Sequence, residues 1–162
     1  MWSGSSGSTP TSISQPVSRR SRSAPTATSG SLQRMFVDSS FLADLGRGHD
    51  EATAFYREHA HAEFSATTIV AYELFGGLVE QGATDLVTEL QRDLDWVDFV
   101  PFSVADAAET ARIEGELLAR GERIRVSDTM IAAAARSRGE RLVAADEHFE
   151  RVADLDYIDF RS

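Results

Sequence analysis

The sequence contains no cysteine and no lysine in 162 residues. The first absence removes disulfides, thiolate metal sites and thiol catalysis together, so any metal must be held by oxygen or imidazole. The second leaves arginine as the only source of the 16 basic residues, against 26 acidic ones and a net charge of −10. Long hydrophobic runs are missing as well. None approaches the roughly 18 residues that span a bilayer, and the N-terminus lacks the apolar stretch of a secretory signal. The simplest location for such a chain is the cytoplasm.

The charge is unevenly spread. All 26 acids lie from Asp38 onward, whereas Arg19, Arg20, Arg22 and Arg34 precede it, leaving 12 arginines for the rest of the chain. An acidic surface without lysine resembles that of proteins solvated in concentrated salt; codon bias is the alternative. So negative a balance argues against nucleic-acid binding by bulk electrostatics. Residues 1–34 are rich in Ser, Thr, Gly and Pro and follow neither hydrophobic period, so they cannot offset the entropy of folding. They read as a disordered basic tail or as upstream sequence translated ahead of a start at Met35, and the second is favoured because the composition changes sharply at that methionine. Residues 35–162 suit one domain with a proper core.

From Met35 short apolar runs alternate with helical periods. Strands are predicted at MFVD, EFSA, VDFVPF, RLVAAD and DYIDF. Helices are predicted at SFLADLGRG, DEATAFYREHA, the segment carrying Glu73, ATDLVTELQRDLDW, residues 103–120 and SDTMIAAAARSRG, with a helical turn at EHFERV. In the helix over 103–120, Val104, Ala107, Ala108, Ala111 and Leu118 are expected to face inward. The alternation implies an α/β fold whose parallel sheet is covered on both faces.

Within IVAYELFGGL, Glu73 is the only charged residue between Glu63 and Glu80. Burying an unpaired carboxylate costs several kcal/mol, roughly, so it requires a partner. Ligands of open α/β sheets bind beyond the carboxyl ends of the strands. Asp38 and Asp146 directly follow predicted strands, and Asp128 opens a predicted helix. With Glu73, four carboxylates can converge there, and a hard divalent cation, Mg2+ or Mn2+, would neutralise them. Each aspartate taken singly also reads as a helix N-cap, and Glu73 as an ion pair with an arginine or a side chain reaching the helix rim.

Four ordered blocks, FVDSSFL, SATTIVAYELFGGL, VSDTMIAAAARSRGERLV and LVAADEHF, make the chain from Met35 onward resemble PIN-domain ribonucleases, especially the VapC-type toxins. The resemblance implies a three-layer α/β/α fold around a mostly parallel sheet. It also implies a divalent-metal-dependent endoribonuclease, with Asp38, Glu73, Asp128 and Asp146 as catalytic and metal-binding residues. The partners it implies are an RNA substrate, an antitoxin protein and a second copy of the chain in a homodimer. Two departures stand out: Ser40 occupies a place where many relatives carry Asn, and Ala144 and Ala145 precede Asp146 where many have Ser or Thr. Ser40 is retained as a hydrogen-bonding support, and the alanines weaken the support of Asp146.

Arg47, Arg123 and Arg125 are the basic residues nearest the site in sequence, and are the candidates for RNA contact. His49, His59 and His61 are expected to face solvent; His148, next to Asp146, is the only histidine near the proposed crevice and is also expected at the surface. Two other functions fit parts of the pattern. A phosphatase or phosphotransfer protein would use Asp38 as nucleophile, but DSS lacks the second aspartate expected of one such class, and no lysine is available. An inactive PIN-like binding module would be expected to have lost an acid, and all four are present.

Overall fold

The computed structural model describes residues 32–162; the expectation for the N-terminal segment lies outside the described residues except at its last three. The chain runs β1 (Arg34–Val37), α1 (Ser39–Arg47), α2 (Asp50–Glu58), β2 (Glu63–Thr67), α3 (Thr68–Glu80), α4 (Val87–Asp93), β3 (Asp98–Val100), α5 (Val104–Ala119), α6 (Val126–Arg138), β4 (Arg141–Ala144) and β5 (Tyr157–Asp159), with 3-10 turns at Thr84–Leu86 and Glu147–Arg151. Every predicted strand and helix is present.

The sheet has the order β3-β2-β1-β4-β5, and every pairing is parallel. The chain therefore moves outward from β1 to β2 and β3, then crosses back to place β4 on the other side of β1. Helices flank the sheet to make three layers. Strands covered on both faces need uninterrupted apolar runs. Met35, Phe36 and Val37 of β1 and Leu142, Val143 and Ala144 of β4 are accordingly fully buried. In α6 the four alanines 132–135 are all buried, small enough for close approach by neighbours on more than one side. Gly48 and Gly139 end α1 and α6 in the left-handed conformation, at φ 72° and 62°, where a side chain would strain the backbone.

β1 includes Arg34, whose Nε lies 3.1 Å from Glu63 Oε2, and Gln33 O accepts the Glu63 N–H. One expectation needs correction. The buried face of α5 is not the alanine stripe. Val104, Ala107, Ala108, Ala111 and Leu118 are exposed, and the residues facing inward are Asp106, Thr110, Ile113 and Leu117. Ile113 and Leu117 bury more apolar surface than alanines do, and the two polar residues on this face are satisfied. Ser103 and Asp106 form a reciprocal capping box, Arg138 bridges Asp106 at 2.8 and 3.2 Å, and Thr110 Oγ1 donates to the Asp106 carbonyl.

Candidate active site

The sheet's connections reverse direction at β1, and the crevice that results lies outside the carboxyl ends of β1, β2 and β4. Asp38 follows β1, Asp146 lies two residues past β4, Glu73 stands on the second turn of α3, and Asp128 lies in the first turn of α6. Four different elements thus each bring one predicted acid to this edge.

Asp38 is buried, at 5% exposure, and caps α1: its Oδ1 accepts the Ser39 N–H at 2.6 Å. Its Oδ2 accepts the Ser40 hydroxyl at 3.0 Å, and Ser40 Oγ in turn accepts the Ala145 N–H at 3.3 Å. Ser40 therefore ties the end of β1 to the end of β4 and bonds a carboxylate as the sequence suggested. Glu73 is half-buried, and the Ser39 hydroxyl donates to its Oε2 at 2.7 Å. Among the described residues no arginine pairs with Glu73. Ser39 bridges Asp38 and Glu73, a role the sequence analysis missed, although the paired serines of DSS are a visible signal.

The capping alternative holds for Asp38 and Asp146 and fails for Asp128. Asp146 caps the 3-10 turn Glu147–Arg151 through the His148 N–H, whereas the cap of α6 is Arg125 and Asp128 is its third helical residue. There the helix dipole favours an anion. Capping does not exhaust these side chains, since a carboxylate has lone pairs for further partners.

The electrostatics show what the protein leaves uncompensated. Burial raises the Asp38 carboxyl from its ordinary 3.8 to about 6, and the neighbouring charge of Glu73 adds to it, with the bonds from Ser39 and Ser40 acting in the opposite direction. Asp128 is also raised, first by burial; Arg125 pulls it down, and Glu73 and Asp146 push it up. Asp38 and Asp128 are thus both raised by Glu73, which faces them from α3. Among the described residues no three acidic or imidazole groups stand close enough to enclose an ion as placed. The donor set is carboxylate oxygen, and its buried members are driven towards their neutral forms partly by one another, the condition that a hard divalent cation relieves. These residues fit such an ion.

Around the same edge, three buried polar atoms lack hydrogen-bond partners: Thr67 Oγ1 at the end of β2, His148 Nδ1, and the Tyr157 hydroxyl. The Tyr157 phenol is pushed up to about 12 by burial first and then by Asp159, Glu150, Asp146 and Asp38, so it stays a neutral donor. Nothing in the sequence marked Tyr157. His148 is partly exposed at the surface, and its Nε2 lies 3.3 Å from Asp146 Oδ1. Of the arginines, Arg125 adjoins Asp128, Arg123 is exposed on the loop before α6, and Arg47 lies in the last turn of α1, 3.5 Å from Asp44. The structure thus brings Arg125 to the acids and leaves Arg47 at the far end of α1.

No curated protein matches the chain in sequence. Solved structures share its fold. VapBC-1 from nontypeable Haemophilus influenzae is similar with a TM-score of 0.71 at 16% identity, over 80% of this chain and 100% of that one. DNA-bound VapBC from Salmonella typhimurium gives 0.70 at 19%, over 80% and 99%. VapC20 from Mycobacterium tuberculosis, a sarcin–ricin loop cleaving toxin, gives 0.57 at 18%, over 75% and 97%. The sequence profile of the PIN domain matches residues 35–155, a span that holds all four acids and, but for Arg34, the first four strands. The chain belongs to the PIN-domain family.

Proposed function

We propose that this protein is a divalent-metal-dependent endoribonuclease that hydrolyses RNA phosphodiester bonds and serves as the toxin of a toxin–antitoxin pair. The observation that carries the reading is the placement of four acids from separate parts of the chain at one sheet edge, with Ser39 bridging Asp38 and Glu73 and no arginine among the described residues paired with Glu73; burial first, and then the neighbouring acids, raise Asp38 to about 6 and raise Asp128. Asp38, Glu73, Asp128 and Asp146 would hold the ion, Mg2+ or Mn2+. When bound, such an ion acidifies water and stabilises charge on a phosphoryl oxygen. Ser40 fixes the Asp38 carboxylate and ties it to β4, and Ser39 orients Glu73 towards Asp38. Arg125, beside Asp128, is best placed of the three arginines to meet an RNA phosphate, with Arg123 next to it. With so few cations on so acidic a chain, binding weakens in salt, and selection falls to RNA shape and unstacked bases.

The toxin reading draws support from the similar structures, which are VapBC toxin–antitoxin complexes. An antitoxin would dock on α2 and on the α3 face around Phe75, Gly76 and Leu78, where Tyr72 and Val79 stand exposed beside them. The homodimer implied by the family resemblance belongs to this reading too.

The test is cleavage of a structured RNA by the purified chain with Mn2+ or with chelator, alongside Asp38→Asn. Cleavage that needs Mn2+ and fails in the variant is expected. Equal cleavage in chelator, or by Asp38→Asn, overturns the reading. For the toxin role, expression should arrest growth and a small co-expressed neighbour should relieve it; a stable, active monomer with no partner in its operon contradicts that role.

A further inference from the structure

Asp146 is the acid with least support from its sequence surroundings, because Ala144 and Ala145 offer no hydroxyl. The structure shows a replacement two residues downstream. The His148 backbone N–H donates to Asp146 Oδ1 at 3.0 Å, and His148 Nε2 stands 3.3 Å from the same oxygen. One residue therefore meets one carboxylate oxygen twice. Building on the metallonuclease reading, we propose that His148 is a positioning residue that fixes Asp146 through Oδ1 and leaves Oδ2 uncommitted for the divalent ion.

The tautomer supports this assignment. A carboxylate only accepts hydrogen bonds, so the 3.3 Å contact is attractive when Nε2 carries the proton. Nδ1 is buried without a partner. Placing the proton there would orphan a donor and also set the Nε2 lone pair against those of Oδ1; the Nε2–H form leaves an unpaired acceptor at Nδ1 but removes that repulsion. The turn that carries the ring is anchored. Phe149, the next residue, is 1% exposed and its ring lies 5.8 Å from that of Tyr157 on β5.

Partners that orient metal ligands change metal affinity by roughly 10–100-fold when mutated. The test is Mn2+ titration of the full chain by calorimetry for wild type, His148→Ala and His148→Gln, with metal-free melting curves of each. The Gln side-chain amide can place an N–H near the position of Nε2. His148→Ala is expected to bind Mn2+ about tenfold more weakly at an unchanged metal-free melting temperature, and His148→Gln to recover most of that loss. Equal affinity in His148→Ala overturns the proposal, as does a His148→Gln no better than His148→Ala, which would assign the effect to packing. Wild type that takes up no Mn2+ overturns the metallonuclease reading, and this proposal with it.

Discussion

Asp38 and Asp106 are both buried aspartates at helix N-termini with serine partners, and they titrate in opposite directions. Asp106, at 1% exposure, sits in a capping box with Ser103 and is bridged by Arg138. Burial pushes its carboxyl up, but Arg138 and Ser103 pull it down further, to a net lowering. Asp38, at 5%, receives bonds from Ser39 and Ser40 but faces Glu73 in place of a cation, and it is raised to about 6. Both are shielded from solvent and bonded by serines, but Asp38 lies deeper, and the sign of the neighbouring charge differs: Asp106 accepts from Arg138, whereas Asp38 faces Glu73. A carboxylate that the fold has neutralised with its own cation is a strut, whereas one set beside another carboxylate is the arrangement that the proposed divalent ion would relieve.

The sharpest way to break this comparison is to remove both carboxylates separately. Asp106→Ala leaves the Arg138 charge without its partner and should cost about 3 kcal/mol or more in denaturant unfolding; a neutral result would erase the contrast. Asp38→Asn should do the reverse in metal-free protein, raising stability at pH 7.5 by up to about 3 kcal/mol, while reducing RNA cleavage about a thousandfold, a barrier increase of about 4 kcal/mol.

That stabilisation should depend on pH. The Asp38 carboxyl is raised in the folded state, from 3.8 to about 6, so within that window the folded protein binds more protons than the unfolded chain. Its contribution to stability is present below the unfolded value and is lost as pH rises through about 6. The gain from Asp38→Asn should therefore fade towards pH 4, and melting curves at pH 4 and 7.5 check it. A smaller effect follows from Ser39→Ala, which removes the bond to Glu73. It should lower cleavage about tenfold, a loss of about 1.4 kcal/mol, without changing the fold; unchanged turnover would show that Glu73 is oriented by other means.

The strands and helices were legible because apolar runs and helical periods alternate cleanly from Met35 onward, and because Gly48 and Gly139 mark two helix ends. The four acids were legible because each stands at a strand end or on an apolar helix. The face of α5 was not, since Asp106 and Thr110 look like solvent residues until Arg138 and the capping box are placed beside them. The place of His148 beside Asp146 was legible, but its contact was not, because a histidine in a short turn carries no signal of the carboxylate oxygen it folds back to meet. Tyr157 escaped for a related reason: the acids around its hydroxyl come from distant parts of the chain.

The most direct test of the central claim, that the carboxylates at the end of β1 await a cation, is the melting of wild type and Glu73→Gln with and without Mn2+. Gln keeps the shape and can accept the bond from Ser39. At Mn2+ near 100 times its dissociation constant, the wild type should gain about 2.7 kcal/mol. Glu73→Gln should lose most of that gain together with RNA cleavage, while its metal-free melting temperature stays level or rises. A variant that melts much lower without metal and still cleaves RNA would make Glu73 a structural residue and contradict the account.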